Sequence, residues 1–182
     1  MQKKTILSVL VDIILVGIIL IASAKASTRI QIPQFEDYPV AIYTQRIHVP
    51  AYYVQHGDVW RDNMGKQVEA PRVNFAGKYY IGLHSCGAEC RYFTLSDLKE
   101  NRDSPALDMF SSAGQDPMKT SDGRVYTTEL ISRPDSKLLV ARFHIEKASG
   151  APDECRQRIF VLSNDGQKVE PVTNTINSCS SR

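Results

Sequence analysis

Several things are scarce in this chain. It has four histidines, a single Trp and, past its first residues, no dense run of Lys or Arg in 182 residues. Nucleic acid and anionic membrane surfaces normally demand a clustered basic patch. Lys3, Lys4, Lys25 and Asp12 between them account for the whole formal net charge of +2. Residues 27–182 are therefore close to neutral, and nucleic acid is not an expected partner. His48, His56, His84 and His144 form no H-E-x-x-H pattern and show no close ligand spacing, so no zinc-hydrolase signature is present. Ser85 has no G-x-S-x-G elbow around it. Asp and Glu are spread too evenly for spacing to single out a glycosidase pair. Neither a cofactor nor a resident metal is expected.

The one long apolar run is Ile13–Ala22, preceded by Lys3 and Lys4 and followed by Ala24-Lys25-Ala26. A positive start, an apolar core and an A-x-A site together read as a secretory signal, Met1–Ala26, cleaved before Ser27. The competing reading is a permanent inner-membrane anchor. Against it, the apolar span from Ile6 is short for a bilayer and contains Asp12, which costs ~2.5–3.5 kcal/mol near a helix centre. No cysteine follows the run, so a lipoprotein is not indicated. Either way the body of the protein is expected outside the cytoplasm, periplasmic or secreted, touching a membrane only through residues 1–26 if these stay attached.

What remains is the size of one ordinary domain with a real core. All four cysteines, Cys86, Cys90, Cys155 and Cys179, fall in it. In an oxidising compartment two disulfides are the default. Three connectivities are open; the favoured one clamps Cys86 to Cys90 and ties Cys155 to Cys179. A zinc site at Cys86-x3-Cys90 would need two further ligands.

The chain is organised around Arg72–Asp97. Asn74–Gly77 reads as a turn, and Tyr79, Ile81 and Leu83 then alternate with Tyr80, Gly82 and His84, the period of a strand with one buried face. Cys86–Cys90 interrupts the run and Arg91–Ser96 resumes it, which predicts a β-hairpin with two cysteines at its tip. Residues 27–71 are punctuated by Pro33, Pro39, Pro50 and Pro71, which confine strands to short pieces. Val40–Thr44 and Ala51–Gln55 are the candidate strands there, with turns at Gly57-Asp58 and Asp62–Gly65. Residues 72–182, packed with 27–71, are expected to make one domain.

Asp97–Gly123 is polar and broken, with one short helix predicted over Pro105–Phe110 behind Ser104 as N-cap. Val125–Ile131, Lys137–Ile145 and Ile159–Leu162 follow as strands, with turns at Pro134-Asp135, Ser149–Pro152 and Asn164–Gly166. Tyr92–Ser96 aligns with Ile159–Ser163, so the fold class is mainly β: an antiparallel sheet or sandwich, or two propeller-like hairpin units, with at most one or two short helices.

Phe75-Ala76-Gly77-Lys78-Tyr79, Cys86-Gly87-Ala88-Glu89-Cys90 and Asp135-Ser136-Lys137-Leu138-Leu139-Val140 follow F-A-G-x-Y, C-G-x-x-C and D-S-K-L-L-V. Over roughly Asn74–Val169 the chain resembles a group of small exported bacterial proteins of unassigned activity, and it departs from them by adding Cys179. The resemblance implies a β-type envelope protein and carries no catalytic residues across.

Two functions compete. One is an envelope cysteine hydrolase with Cys86 or Cys90 as nucleophile and His84 or His144 as base, a real catalytic pairing undercut by two thiols poised to oxidise. The other, preferred here, is a non-enzymatic protein-binding module of the inhibitor or immunity-protein kind, an analogy from compartment and fold. Its expected contact residues are Tyr52, Tyr53, Trp60, Glu89 and Arg91, aromatic anchors beside a stiff charged tip. The bland alternative for the aromatics is that they cover the open end of the β core.

Overall fold

The computed structural model describes residues 31–87, 90–112, 117–147 and 154–179. The expected signal and its cleavage site, Glu89 and the Ser149–Pro152 turn lie outside these. Residues 32–182 form one compact unit.

Ten strands are assigned among the described residues, all paired antiparallel. A small sheet runs through β1 (Val54–His56), β2 (Val59–Arg61) and β3 (Gln67–Val68). The expected turns at Gly57-Asp58 and Asp62–Gly65 are its two hairpin connections. The central hairpin is β4 (Tyr79–Gly87) and β5 (Cys90–Asp97), joined on one side by β6 (Arg102–Ser104). A four-stranded meander follows: β7 (Tyr126–Ser132), β8 (Leu138–Ile145), β9 (Glu154–Leu162) and β10 (Val169–Pro171). Among the described residues helix is confined to two 3-10 turns, Phe35–Asp37 and Pro105–Phe110. The second is capped as its sequence predicts: Ser104 Oγ accepts from Ala106 N–H at 3.1 Å, with Pro105 first in the turn.

Strand alternation explains how the layers assemble. Tyr79, Ile81, Phe93 and Leu95 project from one face of β4–β5 and meet Leu139, Ala141, Phe160 and Leu162 from β8–β9, with Leu107 and Phe110 closing the side. The two sheets thus share one apolar core, which is a sandwich arrangement. Phe93 and Leu95 of one hairpin face the same core as Phe160 and Leu162 of the other, which accounts for the similarity between the two segments. Each sheet then buries its second face under the irregular N-terminal part. Phe35 and Tyr38 cover Leu138, Val140 and Ile159; Tyr53, Val49, Trp60 and Val68 cover Tyr80 and Leu98.

Val40–Thr44 is not a strand. After an isolated bridge from Pro39 to Ser136, Val40 N–H bonds Asp135 C=O at 2.9 Å and Tyr43 N–H bonds Gly77 C=O at 2.6 Å. The segment straps the two sheets instead of pairing along one. Gly77 lies beneath it at φ +79°, and a Cβ there would run into the Ala41 carbonyl, so only glycine fits this turn. Ala51–Gln55 is half strand: Tyr53 N–H closes a turn on Pro50 C=O, and β1 starts at Val54.

Candidate functional site

Both disulfides form as favoured, Cys86–Cys90 with Cα atoms 5.1 Å apart and Cys155–Cys179 at 5.6 Å. No cysteine is free. The first clamps the tip of the β4–β5 hairpin, where the register shifts between Ser85 and Gly87. The second fastens the C-terminal stretch to β9. A nucleophilic cysteine works as thiolate, and in this state neither Cys86 nor Cys90 has one to offer.

His84 is drawn away from the tip altogether. Tyr80, Gly82 and His84 share the outer face of β4, under the cover formed by β1–β3. His84 is 2% exposed, and its Nδ1 lies 2.9 Å from Asp62 Oδ2. A carboxylate can only accept, so Nδ1 carries the proton. Asp62 Oδ1 meanwhile takes the Met64 and Lys66 N–H groups at 3.0 and 2.9 Å. Burial pushes the Asp62 carboxyl upward, but His84 and those two amides outweigh it and hold its pKa below the usual range. On the far side, His84 Nε2 sits 3.0 Å from the Tyr53 hydroxyl and 3.1 Å from Thr94 Oγ1, which are themselves 3.0 Å apart. Tyr92, opposite His84 in the ladder, stacks on its ring with centroids 4.6 Å apart.

An acid, an imidazole and a hydroxyl in line would suit nucleophilic catalysis. Here the imidazole and the carboxylate are both buried, with side chains 1% and 0% exposed, and no substrate could reach them. The network pins the cover sheet to the central hairpin. Sequence reasoning found His84 and read Asp62 as a turn residue; Asp62 is a turn residue whose second oxygen reaches β4.

The aromatic candidates divide. Tyr53 is 5% exposed, its hydroxyl engaged as above and pushed up in pKa by burial, so it offers no contact surface. Tyr52 is half-buried, its hydroxyl bonded to Ser96 Oγ at 2.9 Å and to both Asp103 oxygens at 3.0 Å. Trp60 packs on the outer-face core. These are cover residues. Arg91, paired with Ser85 across the ladder, lies two residues before Phe93 and four before Leu95 and so shares their face of the hairpin, opposite the one covered by Tyr53 and Trp60. Arg91 and the aromatics therefore lie on opposite faces of the hairpin, while Glu89 falls outside the described residues. Trp60 and Tyr53 lie behind β4, bound to its Tyr80 and His84 side.

Below the tip, Leu83 and Arg91 border a cleft of about 710 Å³ between β4 and β7, which Glu69 and Glu129 also line. Its base is wedged by Asn74. The Asn74 side chain accepts from Ile81 N–H at 2.7 Å and donates to Ile81 C=O at 3.0 Å; its backbone N–H reaches Tyr79 C=O at 3.0 Å and its C=O takes Ser132 Oγ–H at 3.0 Å. Asn74 behaves as a one-residue strand between the two edges. Ile81, Leu83 and Ser85 turn their backbone polar groups the same way, away from β5. Beyond Asn74 nothing pairs with Leu83 or Ser85 in the described structure, and Leu83 is 50% exposed. Arg91 lines the same cleft, and among the described residues no carboxylate partners it. Among the described residues no trio of His, Cys, Asp or Glu converges as a metal site. No family model, curated protein or solved structure matches this chain.

Proposed function

We propose that this is an exported, non-enzymatic protein-binding module that takes an extended segment of its partner along the free edge of β4. The carrying observation is the unpaired edge at Leu83 and Ser85. It opens onto the cleft directly above the place where Asn74 already plays the part of an added strand. Strand addition uses such an edge: backbone hydrogen bonds supply affinity and alternating side chains meet the walls. Leu83 offers an apolar contact and Arg91 a cation for an acidic residue of the incoming segment. The Cys86–Cys90 clamp stiffens the tip, which lowers the ordering cost of binding. Export of the chain by its first 26 residues accords with its two disulfides.

The test is to select extended peptides against the folded, disulfide-bonded protein from a random library and map the contact by backbone amide shifts. Ser85→Pro removes one outward N–H at an edge position, where proline is tolerated. Binding should fall about tenfold, the loss of ~1.4 kcal/mol expected for one backbone hydrogen bond, with melting nearly unchanged. Arg91→Glu should reverse any preference for acidic peptides. Selected peptides that ignore both changes, or that shift amides elsewhere, sink the reading. Thiol titration of the same material separates it from the cysteine-hydrolase alternative, which requires reduced Cys86 or Cys90.

A further inference from the structure

A second concavity lies away from the β4–β7 cleft, at the strapped end of the sandwich. Its volume is about 380 Å³, within the range of small-molecule sites. The strap Val40–Tyr43 forms one wall and is fixed at both ends, by Val40 N–H to Asp135 and Tyr43 N–H to Gly77. Ala76, Tyr79 and Leu162 line it from within the shared core. Ile42 stands at the wall 44% exposed, an apolar side chain left without burial.

The polar lining is of one sign. Lys78, Lys99 and Lys137 all border the cavity, and among the described residues no Asp or Glu does. Lys78 is paired with Asp97 at 2.6 Å. Lys99 has only a half-exposed contact with Glu100 at 3.2 Å, which water and salt screen to little. Lys137 Nζ has a neutral partner, Asn164 Oδ1 at 2.8 Å. Two of the three ammonium groups are thus uncompensated or nearly so, around a wall that is mostly aliphatic.

We infer that this cavity binds a single-chain aliphatic anion: a compact carboxylate held by Lys137 and Lys99, with its alkyl body against Ile42, Val40 and Leu162. Charge complementarity selects the head, and the aliphatic wall selects the tail. An alkyl ammonium of the same length would meet repulsion from Lys99 and Lys137. A head without a tail would forgo the apolar contact that each buried methylene makes. The inference is independent of strand addition at β4, which uses other residues at another place.

Calorimetric titration and backbone amide mapping with octanoate, octylammonium, octyl glucoside and acetate provide the test. Octanoate should bind saturably and shift Val40–Tyr43, Gly77 and Lys137, while octylammonium does not bind and acetate is at least about tenfold weaker. Lys137→Glu and, separately, Lys99→Glu should each weaken octanoate about tenfold without lowering the melting temperature, because both side chains are at the surface. Equal binding of octanoate, octylammonium and octyl glucoside would mean a merely greasy groove and overturns the inference. So does unchanged octanoate affinity in both folded variants, or the absence of saturable binding. Anionic vesicles binding where octanoate does not would point to a lipid surface instead, and overturn the free-anion reading.

Discussion

Asp62 and Gly82 show how much rests on single residues behind the central hairpin. Removing the Asp62 carboxylate strands His84 Nδ1–H and two backbone amides in a buried place, and each unsatisfied buried group costs ~1–3 kcal/mol. Asp62→Ala should therefore destabilise the fold by several kcal/mol in urea unfolding, whereas Asp62→Asn, which keeps an acceptor oxygen, should cost less. The pH dependence has a definite sign. Because the folded-state pKa of Asp62 lies below its ordinary value, the unfolded chain binds the proton more readily. Its stabilisation is fully present above the unfolded carboxylate pKa near ~3.9 and is lost as the pH falls through the lower folded value. Melting followed from neutral to acid pH should show that loss in the native sequence and lack it in Asp62→Asn. Gly82 is constrained by space alone. A Cβ at Gly82 would fall on the Tyr53 hydroxyl and meet Thr94 Oγ1 at 2.7 Å. Gly82→Ala should break the Tyr53–His84–Thr94 contacts and cost ~1–3 kcal/mol by overpacking, readable as a lower melting temperature with altered Tyr53 environment.

At the scale of elements, the two disulfides stabilise different things. Cys155–Cys179 spans 24 residues, and closing such a loop in the unfolded chain contributes ~3 kcal/mol; Cys86–Cys90 spans only 4 and contributes ~2 kcal/mol or less. Replacing Cys155 and Cys179 together by Ala should lower stability more than replacing Cys86 and Cys90. The reverse ranking should hold for peptide binding, since the short clamp holds the tip beside the open β4 edge. Denaturant midpoints and peptide affinity measured on the two double variants check both orders. The edge itself is protected over part of its length: Asn74 fills Ile81, and the bulge between Ser85 and Gly87 interrupts pairing near the tip. Only the stretch between them is left available, short enough to be selective and to limit indiscriminate pairing.

For the whole molecule, residues 32–182 carry three apolar clusters, one between the sheets and one on the outer face of each. The irregular N-terminal part supplies the cover for both outer faces, so the sheets are not stable two-layer units without it. The proposed export predicts a mature N-terminus at Ser27, and mass spectrometry of the protein recovered outside the cytoplasm should find Met1–Ala26 missing; retention of that segment would support the anchor reading instead.

The sequence by itself determined the hairpin Tyr79–Asp97, the first three strands of the C-terminal meander and the capped turn at Pro105, and it favoured, among three open connectivities, the cysteine pairing that forms. These are local or period-2 signals: alternating side chains, turn residues and short cysteine spacing declare themselves within a few positions. Short strands such as Gln67–Val68 and Arg102–Ser104 had no such signal, being too brief to show a period. Only the tertiary structure decided which face of the hairpin each residue joins. It turned Tyr53 from a surface candidate into a buried partner of His84, and separated Arg91 from the aromatics. It brought Asp62 to His84, and left Leu83 and Ser85 without a neighbouring strand. Which strand lies beside which, and where an edge stays open, depends on contacts between residues far apart in the chain, and no local pattern encodes them.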